Sequence, residues 1–287
     1  MPKSYLAIET DTHGGHRQGL LNPDTVIAEE DEFGDIQEFK PNLTSTQKYL
    51  WELREANIAT LIEKAAGARI DYLHAGDQTQ GDRYKSELVS TAMSAQITIA
   101  LENMAPILSL DNLECARFVK GTASHEYGEG SSGNLLQTMY SQKYRDKNIK
   151  HVWHGLVEIN GVLIDLAHHG PFPGSRNWLK GNVARYYLRD KMYADLLAHR
   201  DPPSLYIRGH YHEEVWETLR MKTNGKWHES TLIVVPSMCG MGVYARQATR
   251  SSHKISNGMV IVELDEGRIL DMDWRIQTLD VRTKEVL

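Results

Sequence analysis

The sequence predicts an α/β sandwich in which two mixed sheets pack together and are flanked by helices. Three observations lead there. Short apolar runs of strand length recur along the chain, helical patterns separate the early ones, and strand patterns dominate the second half. The expected strands are residues 5–9, 70–74, 117–121, 152–159, 162–167, 205–208, 232–235 and 259–264. Thr44 or Ser45 can cap a first helix that carries Tyr49, Leu50, Leu53, Ile58, Leu61 and Ile62, and Gly67 is placed to end it. A second helix is expected over 86–103 and a third over 182–199. Asn160-Gly161 reads as a two-residue hairpin, and a second hairpin joins the last strands through Asp265-Glu266-Gly267.

Composition sets the outer limits. In 287 residues, 41% hydrophobic and 24% charged side chains suffice for one large core, and neither a repeat nor a linker divides the chain, so residues 1–287 are read as a single domain. Within it, residues 14–41 are polar and acidic with little periodicity, the signature of a loop insertion on the active-site side. Residues 213–287 are expected to complete the second sheet. The N-terminus lacks a secretory pattern and there is no apolar run of membrane-spanning length, so the expectation is a cytoplasmic protein with no membrane partner. Cys115 and Cys239 are too few for a disulfide framework and lack zinc-site spacing. A net charge of −6 gives no global attraction for a polyanion but leaves room for a local basic patch, and self-association into a homo-oligomer stays open.

The thirteen histidines matter through their placement. Gly209-His210-Tyr211-His212 follows the run 205–207, so both imidazoles stand where a strand ends; taken alone the motif is suggestive only, with a surface turn as the alternative. Asp11-Thr12-His13 follows the first strand. Gly76-Asp77 follows the second, at the carboxyl end, where open α/β sheets collect catalytic groups. Gly81-Asp82 is farther from its strand and reads as a solvated loop or cap. His168-His169-Gly170 ends the strand 162–167. Four strand ends that each deliver Asp or His form a donor set suited to zinc, manganese or iron.

In this order, Asp11-x-His13, Gly76-Asp77, Gly121 with His125-Glu126, His168-His169 and Gly209-His210-x-His212 resemble the calcineurin-like metallophosphoesterase family, over about residues 5–215. The resemblance implies a double β-sandwich that holds two divalent ions, manganese, zinc, iron or nickel. It implies that Asp11, His13 and His212 hold one ion, that Asp77 bridges, and that His168 and His210 hold the other. Similar His-His pairs in the family use the first histidine as ligand, which leaves His169 to line the pocket. The third motif departs from the family's Gly-Asn-His-Asp or Gly-Asn-His-Glu. Here Gly121-Thr122-Ala123-Ser124-His125-Glu126 carries two extra residues and no Asn, so that Thr122, Ser124 or water replaces its oxygen and the second ion is held more weakly. This looser form resembles members encoded by phages and mobile elements.

The mechanism implied is in-line attack on phosphorus by a metal-activated water, with Asp77 fixing the ion pair, His125 as general acid or charge stabiliser, and Glu126 orienting His125. Arg17, His16 and Arg208 are the nearest candidates for gripping a phosphate, with His169. Lys180, Arg185, Arg189 and Lys191, and farther on Arg246, Arg250 and Lys254, either track a nucleic-acid backbone or are solvated charges. The expected activity is that of a phosphodiesterase, a nuclease or nucleotide phosphodiesterase. The competing readings are a phosphomonoesterase and a binding or scaffold protein that keeps the fold without turnover.

Overall fold

A computed structural model describes residues 2–128, 130–173, 179–248 and 252–285. Its strands are β1 (Ser4–Glu9), β2 (Ile27–Glu30), β3 (Ile36–Phe39), β4 (Arg69–His74), β5 (Leu113–Val119), β6 (Asn148–Val152), β7 (His154–Ile159), β8 (Val162–Ala167), β9 (Leu205–Arg208), β10 (Val215–Thr223), β11 (Lys226–Val234), β12 (Lys254–Asp265) and β13 (Arg268–Asp280). Its helices are α1 (Ser45–Ala65), α2 (Met93–Leu108), α3 (Ser131–Lys143), α4 (Asn182–Leu197) and α5 (Val243–Ala248).

Two mixed sheets are present. The first has the order β13-β12-β1-β4-β5-β6 and the second β10-β11-β9-β8-β7. In the first, β1, β4, β5 and β6 are parallel neighbours and β12 runs antiparallel to β1; in the second, β9 lies parallel to both β8 and β11. Strand parity builds the layers. Leu6 and Ile8 of β1 face inward with Leu73, Val119, Ile164, Leu205, Ile207 and Ile233, in a core shared by both sheets. Tyr5 and Ala7 face the other way, onto Ile58 and Leu61 of α1 and Met104 of α2. On the far side, α4 packs Ala184, Leu188 and Met192 over Tyr206, Leu232 and Val234. The central strands are therefore buried on both faces, which is why they read as continuous apolar runs.

Local signals account for most boundaries. Thr44 caps α1 with its hydroxyl on Gln47 N, and the Gln47 side chain returns to Thr44 N. Asn160 and Gly161 both take positive φ, 48° and 77°, as a two-residue hairpin turn requires. Other expectations are corrected. Helix α2 starts at Met93, not at residue 86, because the Gln96 side chain bonds Gln80 N, Gly81 N, Gly81 O and Ser90 O and holds the preceding segment as a loop. The stretch 14–41 contains the hairpin β2–β3. The C-terminal strands divide: β10 and β11 extend the second sheet, whereas β12 and β13 join the first through β1.

A buried ionic knot ties the layers beneath the end of β1. Glu9 accepts from Arg54 Nε and Nη2 at 3.0 Å each and from the Tyr72 hydroxyl at 2.7 Å, while Arg54 Nη1 reaches Asn103 O at 2.6 Å. All of Arg54 and Glu9 is shielded from water. Arg54→Met would strand an ionised carboxylate and is expected to cost about 3–5 kcal/mol, measured by urea unfolding. His74 is buried beside this knot, and burial holds it down to about 4, so it folds neutral. A depressed pKa means stability that is complete above the unfolded value and lost as pH falls toward the folded one. Between pH 7 and 5 this amounts to about 2 kcal/mol for a histidine moved from about 6.5 to about 4. His74→Gln should flatten the acid limb of a stability-against-pH curve by about that amount.

Candidate metal centre

The parallel pairing of β1 with β4 continues past both strands. Asp11 N donates to Gly76 O at 2.9 Å, His13 N to Asp77 O at 3.0 Å and Gly14 N to Gln78 O at 2.8 Å. Gly209 N donates to His168 O at 2.9 Å, which joins the ends of β8 and β9 in the same way. Four strand ends are thus laced into one rim. Five residues on that rim, Asp11, His13, Asp77, His210 and His212, have positive φ between 44° and 74°, out of twelve such non-glycine residues described. Left-handed backbone at bulky polar residues is unfavourable and persists where the surroundings enforce it; here it turns side chains from different strands toward one point.

Glycines make the convergence possible. A Cβ at Gly121 would overlap the Asp77 carboxylate and backbone, and one at Gly209 would meet the Thr10 hydroxyl and stand 2.9 Å from Asp11 Oδ2.

Donor atoms of Asp11, His13 and His212 form one cluster, those of Asp11, Asp77 and His168 a second, those of His13, Asp77 and His125 a third and those of His168, His169 and His210 a fourth, each within 4.8 Å. The spacing fits coordination. Asp11 Oδ1 stands 3.6 Å from His13 Nε2 and 3.3 Å from His212 Nε2, and the two nitrogens are 3.2 Å apart. Atoms about 2.1 Å from a shared cation lie about 3.0 Å apart in an octahedron and about 3.4 Å apart in a tetrahedron. The two Asp11 oxygens are used differently. Oδ2 accepts from Thr10 Oγ1 at 2.6 Å and His210 N at 2.9 Å, whereas Oδ1 is buried without a hydrogen-bond partner among the described residues. A buried carboxylate oxygen left bare and aimed at two imidazoles fits a divalent cation.

On the other side, Asp77 Oδ2 lies 3.1 Å from His168 Nε2, and Asp77 Oδ1 accepts from Thr122 N at 2.6 Å. His168 Nδ1 donates to Ala75 O at 2.7 Å, which fixes the tautomer and turns Nε2 to the site. His168 is 1% exposed and His169 is exposed, with ring centroids 4.8 Å apart, so His168 is the better anchored donor and His169 lies at the mouth.

Electrostatics agree with a cation site. Burial opposes charge on Asp77 and Asp11, yet the surrounding imidazoles hold both well below the usual carboxylate range. Burial keeps His13 and His210 neutral down to about 4. His168 is the exception: burial lowers it, but Asp77 and Asp11 raise it to about 10. Its proton supplies positive charge at a point where two carboxylates face each other.

Several expected roles change. Arg208 is 1% exposed: its guanidinium is held by Asp165 Oδ1 at 2.6 Å, by the Asp165 and Ile207 carbonyls and by the Tyr187 hydroxyl, so it braces α4 against the second sheet and has no donor left for a phosphate. Glu126 does not orient His125. It accepts from Gly121 N at 2.5 Å, while His125 Nδ1 donates to Gln80 O at 2.8 Å. Burial, with Asp77 nearby, pushes Glu126 up to about 7. Arg17 is exposed, with Nε on Leu88 O at 3.1 Å, and lines a separate cleft of about 250 Å³ with Phe39 and Pro41. His16 is buried, accepts from Gln18 N at Nδ1 and faces Glu87 at 3.6 Å. Lys180 pairs with Glu213 and Glu214, and Arg185 with Glu217; Arg189 lies over Tyr186 and Lys191 over Tyr187. This basic set is largely compensated by acids and aromatics of its own surface. Arg246 lies in α5, Lys254 opens β12, and Arg250 falls outside the described residues. No helix among the described residues is long and apolar enough to cross a membrane.

The sequence reading did not place Gln80, whose carbonyl fixes His125, or Thr10, whose hydroxyl fixes Asp11; nothing but their position beside the motifs marks them. No model of a known protein family matches this chain, and no curated protein is recognisably similar to it in sequence.

Proposed function

We propose that this chain is a metal-dependent phosphoesterase that hydrolyses a phosphodiester, in nucleic acid or a nucleotide, by in-line attack of water on phosphorus. The observation that carries this reading is the convergence of Asp11, His13, Asp77, His168, His210 and His212, from four strand ends, at the mutual spacing of a coordination shell. Asp11, His13 and His212 would hold one divalent cation, His168 and His210 a second, with Asp77 between them. When bound, such a pair supplies a water acidified toward hydroxide and neutralises charge on the phosphate oxygens.

The protein's own groups divide the remaining work. Asp77 is pinned through Oδ1 by Thr122 N, so its other oxygen keeps a fixed place between the two donor sets. His125 donates from Nδ1 to Gln80 O, which leaves Nε2 to serve the substrate, and its ring stands edge-on to His13 at 4.7 Å between centroids. From there Nε2 can protonate the departing oxygen. A diester is favoured over a monoester because the arginines nearest the motifs are turned elsewhere: Arg208 into the core and Arg17 toward a separate cleft with Phe39 and Pro41. A monoester dianion calls for more fixed positive charge than a diester monoanion.

Metal-stripped protein should recover hydrolysis of bis-p-nitrophenyl phosphate, in preference to p-nitrophenyl phosphate, when manganese, zinc, nickel or magnesium is restored in turn. Asp77→Asn should lower kcat at least about 100-fold. A folded, metal-loaded protein that hydrolyses neither ester would sink the proposal, and monoester preference would move the activity to a phosphatase. His125→Ala gives a sharper test of the proton donor. It should cost about 100-fold or more with an alkyl leaving group and little with p-nitrophenolate, which departs without a proton. Equal losses on both would remove His125 from that role.

A further inference from the structure

The second donor set contains an atom that neither carboxylate nor imidazole supplies. Thr122 Oγ1 lies 3.2 Å from Asp77 Oδ2, 3.3 Å from His168 Nε2 and 3.3 Å from His210 Nδ1. Together with the 3.1 Å between Asp77 Oδ2 and His168 Nε2, these four distances match the edge lengths of a coordination shell, with the Thr122 hydroxyl the atom common to three of them. The hydroxyl donates to Asp77 Oδ2, and two imidazole nitrogens, His168 Nε2 and His210 Nδ1, face the same oxygen. A carboxylate oxygen, two imidazole nitrogens and an alcohol oxygen gathered in this way make a donor set for a divalent cation, which would take the place of the proton on His168 Nε2.

We propose that the Thr122 hydroxyl is a protein donor to the second cation, and that the two sites are unequal as a result. This rests on the reading of the preceding section. The first site has a carboxylate of its own, Asp11, with one oxygen left bare for the ion, and both Asp11 and His13 are buried. The second has no carboxylate apart from the shared Asp77; its other donors are two imidazoles and a neutral alcohol, and Thr122 and His210 are only half-buried. Affinity for hard cations follows the number of charged donors and the rigidity of the site, so the second ion binds more weakly and leaves first. Activity then tracks the free divalent-cation concentration through the second site, with the first already filled.

The test is calorimetric titration of manganese into the metal-stripped full chain, which reads binding without turnover. Wild type should take up two equivalents in two separated steps. Thr122→Val keeps the shape and the backbone N–H on Asp77; it should weaken the second step at least about tenfold while the first step and the metal-free thermal midpoint stay unchanged. Thr122→Ser, which restores a hydroxyl, should recover the second step. An unaltered second step in the valine variant, a serine variant as weak as valine, or uptake of a single equivalent by wild type would overturn this inference alone. Failure of wild type to bind manganese, zinc or nickel at all would overturn the phosphoesterase reading and this inference with it.

Discussion

The ladder between β1 and β4 does not stop where the strands stop, and the site depends on that continuation. Each strand ends in a turn that bends away from sheet geometry, yet Asp11, His13 and Gly14 still find Gly76, Asp77 and Gln78 as hydrogen-bond partners. The two turns are therefore tied together as one unit. Because β1 is central, with β4 parallel on one side and β12 antiparallel on the other, the unit is anchored in the most buried part of the first sheet. The Glu9–Arg54–Tyr72 knot lies directly beneath it and links β1 and β4 to α1 and α2. A rigid base of this kind lets unfavourable backbone persist above it: each left-handed non-glycine residue costs of order 1 kcal/mol, and five are gathered on this rim.

The second sheet approaches the rim from across the sandwich. Its contribution, His168 at the end of β8 and His210 and His212 past β9, is tied by Gly209 N to His168 O and crosses to the first sheet through His210 N on Asp11 Oδ2. The apolar core shared by the two sheets thus sets the distance between the two halves of the donor set, and packing there bears on site geometry although no core residue touches the site.

Much of this was legible in the sequence, and the exceptions have physical causes. The buried strands and both expected hairpins carried strong local signals, and the Asp- and His-bearing motifs lie at strand ends. Helix α3 was missed because it buries only Leu136 and Tyr140 among its large apolar residues, and its sequence SSGNLLQTMYSQK is otherwise polar. Strand β10 was missed because it is an edge strand, with one side solvated and residues such as Glu217, Arg220 and Lys222 breaking the apolar run. The Arg208 error had an available remedy. Leu205 and Ile207 face the inner core, so parity sends Tyr206 and Arg208 to the α4 side, away from the Asp and His cluster. Glu126 had none, because only the folded loop reveals that its carboxylate holds Gly121 N.

That loop, from Gly121 to Glu126, is held against Asp77 and Gln80 at separate points. Its first duty is mechanical: Gly121 must lie against Asp77 with no side chain between them, and Thr122 N must reach Asp77 Oδ1. Both duties belong to the backbone and are indifferent to the identity of the following side chain. Its second duty, to hold His125 over the site, is met from another strand end, by Gln80 O. Ala123 and Ser124 span the path between two anchors that are fixed independently, Thr122 N on Asp77 and His125 Nδ1 on Gln80 O. The side chain set at this point beside Asp77 Oδ2, His168 Nε2 and His210 Nδ1 is the Thr122 alcohol, carried on a backbone whose own position is fixed by the Thr122 N–H on Asp77.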